Sequence, residues 1–198
     1  MRIIAGELKS RKLAFPKTRM TRPMTDRAKE TVFNILAGLV PGKHILDLYS
    51  GSGSLGLEAL SRGALDVTFV DHADAAIKVI QKNLQELALM PKARVIQGDV
   101  LRTIKKLEKE ESLFSLIFVD PPYDQGLVKK TLIELDRSAI LAPFAQIVVG
   151  HSQQEELPNS LQALEITRTK KIGQSYLSFL FRVESKYGQT KSYLSGEL

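Results

Sequence analysis

The sequence predicts an α/β protein, doubly wound and Rossmann-like, on a mostly parallel seven-stranded sheet with a C-terminal antiparallel hairpin. Three observations predict it. From residue 44 onward, short apolar runs alternate with segments whose apolar residues recur at helical spacing. The first such run leads straight into a glycine-rich stretch, Gly51-Ser52-Gly53-Ser54-Leu55-Gly56, that opens a helix. Near the C-terminus two strand-like segments flank Gly173-Gln174, which is a hairpin signal.

Residues 2–15 hold two apolar clusters, Ile3-Ile4-Ala5 and Leu13-Ala14-Phe15, separated by Gly6 and a polar run, and read as a small hairpin. A basic loop occupies 16–23. A helix then starts near Thr25-Asp26, whose short polar side chains can cap exposed amides, and carries Ala28, Val32, Leu36 and Leu39 inward. Strands are expected at 44–49, 67–71, 94–97, 116–119 and 147–149, and helices at 53–62, from an Asp74 cap onward with Ile77, Ile80, Leu84 and Leu87 on one face, at 100–111 and at 125–137. The hairpin strands are 164–171 and 176–183. Residues 186–198 are polar, contain glycine and read as a loose tail.

The composition narrows the chemistry. With 198 residues and no cysteine, thiolate metal sites and cysteine nucleophiles are excluded. His44, His72 and His151 lack metal-ligand spacing, so no metal is expected. No apolar run is long enough to span a membrane and no secretory leader is visible, which makes a cytoplasmic location the expectation. Residues 1–30 hold nine Lys and Arg against three acids, an excess equal to the whole net charge of +6. Such a one-sided arm suits a polyanion, although a solvated tail would look the same.

The first four parallel strands each end on or beside a carboxylate: Asp47, Asp71, Asp99 and Asp120. Ligands of open α/β sheets bind at that edge. Gly51, Gly53 and Gly56 also satisfy G-x-G-x-x-G, with Asp71 twenty residues after Gly51, so a nicotinamide dinucleotide is a rival ligand. Asp47 argues against it, because a carboxylate beside the glycines would repel a pyrophosphate. It would instead organise the amino end of S-adenosylmethionine, with Asp71 on the ribose hydroxyls and Asp99 on the adenine amino group. Asp120-Pro121-Pro122-Tyr123 follows a buried run, 116–119, that two prolines bring to an end. Asp120 and the Pro121 carbonyl can accept the two hydrogens of an exocyclic amino group, while Tyr123 stacks on the base. Stacking needs the ring and not the hydroxyl.

That tetrapeptide resembles the Asp/Asn-Pro-Pro-Tyr/Phe motif of amino-methyltransferases. The chain is closer still in resemblance to the RsmD family, the bacterial small-subunit ribosomal RNA guanine-N2 methyltransferases. Matching stretches are Arg2-Ile3-Ile4-Ala5-Gly6, Arg22-Pro23-Met24-Thr25-Asp26-Arg27, Phe33-Asn34-Ile35-Leu36, 46–62 and 118–123. Met24 stands where the family usually has threonine, and Gly150 where an acid commonly ends the fifth strand. The resemblance implies a class I S-adenosylmethionine-dependent methyltransferase fold and methyl transfer to a guanine N2 in 16S ribosomal RNA, free or within the small subunit or an assembly intermediate. It implies a monomer. Catalysis would fall to Asp120, Pro121 and Tyr123. The cofactor would meet Asp47, Tyr49, Ser50, Gly51, Gly53, Asp71, His72, Asp99, Val100 and Asp120. RNA would meet Arg2, Lys9, Arg11, Lys12, Arg19, Arg22 and Arg27. The domains expected are a basic RNA-binding extension over 1–24, a methyltransferase domain over 25–185 and the tail over 186–198. An adenine-N6 methyltransferase and a non-catalytic RNA-binding or assembly protein of the same fold remain alternatives.

Overall fold

A computed structural model describes residues 1–16 and 24–183. The tail at 186–198, and Arg19 and Arg22 of the basic loop, lie outside the described residues. The elements run α1 (Asp26–Ile35), β1 (His44–Leu48), α2 (Ser54–Ser61), β2 (Asp66–Asp71), α3 (Asp74–Glu86), a 3₁₀ turn (Met90–Lys92), β3 (Ala93–Gln97), α4 (Val100–Lys109), β4 (Phe114–Val119), α5 (Leu127–Arg137), β5 (Leu141–Ser152), β6 (Leu164–Ile172) and β7 (Ser175–Arg182).

One seven-stranded sheet has the order β3-β2-β1-β4-β5-β7-β6. β1 to β5 are parallel, and β7 runs antiparallel to both β5 and β6. Strand order reverses between β1 and β4, which opens a crevice at their carboxyl ends. The apolar strand runs exist because both faces are covered. On one face Ile45, Phe69 and Phe118 pack with Val32, Phe33, Leu57, Ile80 and Leu84 of α1, α2 and α3. On the other, Leu46, Val70 and Ile117 pack with Ile104, Leu107, Val128 and Leu132 of α4 and α5. Each such fully buried side chain contributes about 1.5–3 kcal/mol. The third glycine of the loop serves this packing: a Cβ on Gly56 would lie 2.3 Å from the Phe69 ring, so α2 could not approach β2.

The N-terminal segment belongs to the same core. Ile3 and Leu13 are buried within the first cluster. Only a single antiparallel bridge, Arg2 to Lys12, forms where a hairpin is expected. The reason is an unusual anchor. The Glu58 carboxylate, on α2 and fully buried, accepts from the amides of Ile4 (2.7 Å) and Ala5 (3.0 Å) and from the Arg62 guanidinium (2.9 Å). Lys29 of α1, also fully buried, places its ammonium 3.7 Å from Glu58 and donates to the Arg2 carbonyl at 2.6 Å. Those amides are spent on a side chain, so backbone pairing between the arms is confined to the bonds of Ile3 with Arg11 and Ser10 and of Leu13 with Met1.

Other boundaries move for local reasons. Thr25 caps α1 as expected, but the helix ends at Ile35 and Leu39 is exposed. Ala73, not Asp74, is the N-cap of α3. β5 is much longer than the apolar run at 147–149. Pro143 and Phe144, the latter with φ 58°, sit in a register shift opposite β4 that lets the strand continue past a residue without an amide hydrogen. Among the described residues no helix is long and apolar enough to cross a membrane.

Candidate active site

The carboxyl edge of the sheet gathers all four strand-end carboxylates. Asp47 is buried in β1, and its Oδ2 accepts from the Gly56 amide at 3.0 Å, so it ties β1 to the first turn of α2. Burial raises its pKa well above the ordinary carboxylate range; the Gly56 amide opposes this, while the nearby charges of Asp120 and Asp71 add to it. Tyr49 leaves the strand in the left-handed region, φ 58°, and its hydroxyl is bonded to Thr131 of α5 at 2.8 Å.

Ser50 is held within the protein itself. Its buried hydroxyl donates to the carbonyls of Asp47 and Val70 and accepts from the Val70 amide at 3.0 Å. That side chain clamps the end of β1 to β2, and the backbone is engaged as well, the Ser50 amide donating to the Val70 carbonyl (3.1 Å) and the Ser50 carbonyl accepting from Gly53 (2.7 Å). Asp71 is similarly engaged, its Oδ2 accepting from Gly51 (2.8 Å) and its Oδ1 from Ala73 (2.9 Å). It shapes the glycine loop, and each oxygen keeps a lone pair for a hydroxyl. Gly51 is partly exposed, and a Cβ there would meet nothing nearer than the Tyr49 carbonyl at 4.0 Å; Gly53 is buried, with Ile80 and Phe69 3.2 Å from where its Cβ would stand. His72 is exposed, its Nδ1 3.6 Å from Asp71. Asp99 is exposed and caps α4 through the Arg102 amide at 2.9 Å, which leaves its second oxygen free, with Val100 buried behind it.

Across the switch point, Asp120 follows β4 and is half-buried. Burial pushes its pKa up to about 6, against a pull downward from the Tyr123 hydroxyl. Pro121 is buried and Pro122 partly so, which fixes the turn. Tyr123 is 37% exposed. Burial, and next the Asp120 charge, raise its phenol to about 12 although Ser175 stabilises the ionised form. The hydroxyl, expected to be dispensable, therefore faces Asp120 and β7. Gly150 of β5 lies directly against this group. A Cβ there would sit 2.3 Å from Asp120 Oδ1 and 3.6 Å from the Tyr123 hydroxyl oxygen.

Two clefts flank the turn. One, of about 660 Å³, is lined by Asp124, Glu155 and Glu156 with Lys129. The other, of about 450 Å³, lies between Tyr123 and the β6–β7 turn. No sequence signal pointed to this second cleft, because its walls come from segments distant along the chain. Of the basic residues expected at RNA, Arg2, Lys9, Arg11, Lys12 and Arg27 are exposed. Arg11 donates to the Glu86 carbonyl at the end of α3 (3.2 Å), and Arg2 lies 3.4 Å from Asp26.

Residues 1–181 match the family described as Conserved hypothetical protein 95. The chain belongs to that family, the RsmD family. Among its relatives, YlbH of Bacillus subtilis (strain 168) is 39% identical over 173 residues, 87% of this chain and 94% of that protein. Ribosomal RNA small subunit methyltransferase D of Escherichia coli (strain K12) is 36% identical over 174 residues, 88% of this chain and 86% of that one. The solved structure of Escherichia coli yhhF superposes with a TM-score of 0.79 at 34% identity, over 92% of this chain and 97% of that chain. This RsmD-family chain has the class I methyltransferase fold, with the mixed sheet and terminal hairpin that the sequence predicts.

Proposed function

We propose that this chain transfers a methyl group from S-adenosylmethionine to the exocyclic N2 amino group of a guanine in 16S ribosomal RNA, as a monomer acting on the small subunit or an assembly intermediate in the cytoplasm. The observation that carries the reading is Asp120: a half-buried carboxylate with a pKa of about 6, held on a Pro-Pro turn at the switch point beside a partly exposed tyrosine. The relatives named for ribosomal RNA methylation supply the substrate class.

The residues present fit the cofactor. Asp47, Asp71, Asp99 and Asp120 make the edge acidic, which suits a ligand carrying a sulfonium and an ammonium and opposes one carrying two phosphates. Asp47, the partly exposed backbone of Gly51, Asp71, Asp99 and Val100 would hold it, with buried Gly53 shaping the loop beneath. When bound, the sulfonium supplies a methyl group already activated for transfer.

The chain's own part concerns the amine. A guanine amino lone pair is delocalised into the ring and is a weak nucleophile. Asp120 and the Pro121 carbonyl accept its two hydrogens, which favours a more pyramidal nitrogen. Positive charge growing on that nitrogen is stabilised by a carboxylate that was ionised and positioned beforehand. A fixed turn supplies the alignment. Asp120 need not be a strong base, since the amine becomes acidic as it is alkylated. Tyr123 offers a stacking face to a base drawn out of its helix.

The test is incubation of the purified chain with labelled S-adenosylmethionine and unmethylated small subunits, in parallel with naked 16S RNA, followed by mapping of the modified base. Label on a guanine N2 is the expected result. Label on an adenine N6, or none in either substrate, would overturn the proposal.

A further inference from the structure

We propose that the cleft between Tyr123 and the β6–β7 turn holds the nucleotide adjoining the target base, with the Lys171 ammonium on its phosphate. The inference rests on the functional reading above and adds a second contact region to the basic N-terminal segment.

The topology places this cleft. β7 is antiparallel to β5, so its first residue, Ser175, pairs with the last of β5, Ser152. The turn at Gly173-Gln174 is thereby carried to the carboxyl edge of the parallel strands, where Asp120 and Tyr123 lie. Tyr123 forms one wall, and Lys171, Gln174, Gln153 and Gln154 are among the others. A volume of about 450 Å³ accommodates a nucleotide.

The chemistry of the walls selects the ligand. This cleft is lined by one cation, three amides and no acid, whereas the larger cleft on the other side of the turn has three carboxylates around Lys129. A polyanion is repelled by the larger cleft and attracted by this one. Lys171 forms no ion pair among the described residues. It is also held in place. Its Nζ lies 5.8 Å from the Tyr176 ring centre, and that ring stacks on His151 at 5.8 Å and 22°. His151 is buried and fixed at both nitrogens: Nδ1 donates to the Ser152 carbonyl at 2.9 Å, so Nε2 accepts from the Ser178 hydroxyl at 2.9 Å. Cations on an edge strand also discourage strand pairing. Lys171 is exposed like Arg168 and Lys170, but it differs from them in lying in the wall of the cleft with its ammonium over the Tyr176 ring.

The experiment measures binding of the full chain to labelled unmethylated 16S RNA by anisotropy across a series of KCl concentrations. Wild type, Lys171→Gln, Lys171→Arg and Lys129→Gln in the neighbouring acidic cleft are compared. For Lys171→Gln the log Kd against log salt slope should fall by about 0.7, the value for one single-strand phosphate. Lys171→Arg and Lys129→Gln should keep the wild-type slope. In turnover, Lys171→Gln should raise the KM for RNA several-fold with kcat within about two-fold, and calorimetry should find S-adenosylmethionine affinity unchanged. A wild-type slope and KM in Lys171→Gln would overturn the inference. So would an effect on assembled subunits alone, which would assign the cleft to a ribosomal protein. A wild-type chain that binds and methylates no RNA would bring down the functional reading as well, and that arm separates the two failures.

Discussion

The Asp120 carboxylate rests on the backbone of Gly150, with Oδ1 only 2.3 Å from where a Cβ on that glycine would stand. The acid that the family commonly carries at this strand end is therefore incompatible with Asp120 as placed here. Gly150 does not have a left-handed φ, so alanine is tolerated by the backbone and only the carboxylate must move. Gly150→Ala should fold, retain cofactor affinity and lose about 10²-fold in kcat, the typical consequence of displacing one preorganised group. Single-turnover kinetics check this; a rate within a few-fold of the parent would show that the placement is unimportant.

Asp120 should also set an acidic limb. Its pKa of about 6 means that transfer falls as pH drops through 6, where the acceptor becomes protonated. Tyr123→Phe removes the hydroxyl that lowers this pKa, so the limb should shift to higher pH. Rate profiles between about pH 5 and 8 measure both. Tyr123→Ala should in addition weaken base capture by about 1–3 kcal/mol.

The same shift predicts a trade between function and stability. A folded-state pKa raised from 3.8 favours folding below pH 3.8, and that stabilisation is lost as pH rises through 6. Keeping the group neutral at about pH 7 recovers it. Asp120→Asn should abolish transfer yet gain about 1–3 kcal/mol, read from urea unfolding at about pH 7. No gain under those conditions would mean that water reaches the carboxylate freely.

Glu58→Gln leaves Lys29 buried without a counter-charge and should cost about 3–5 kcal/mol. Adding Lys29→Met should recover part of the loss, because the stranded ammonium is then gone. A double variant no more stable than Glu58→Gln alone would rule out the ion pair as the cause.

Neutralising Arg11, Lys12, Arg19 and Arg22 together should weaken RNA binding and reduce the salt slope by about 0.7–0.9 for each phosphate no longer neutralised. Cofactor affinity should be unaffected. An unaltered slope would reduce the basic segment to a solubilising surface.

What was legible in the sequence follows from what periodicity encodes. Ile45, Phe69 and Phe118 announce buried strands, and the acids following such runs mark the edge where ligands sit. Roles that depend on where a polar atom points were not legible. Nothing in the glycine loop announces that the Ser50 hydroxyl clamps two strands, and the Tyr123 hydroxyl reads as spare yet adjusts Asp120. Glu58 reads as one more helical acid until Ile4 and Ala5 are brought against it from far along the chain. Pro143 hid half of β5, because nothing local announces the bulge that tolerates it.

The reversal between β1 and β4 divides labour along a single edge. On the β1–β3 side lie the loops expected to keep an unchanging small molecule; on the β4–β7 side, those expected to meet a variable polymer. Because the β6–β7 turn closes the second half from the sheet's outer margin, it can be lengthened, recharged or exchanged while the glycine loop stays as it is. A protein built this way can change its target by editing one terminal hairpin, and the same hairpin is the place to begin when redirecting it by design.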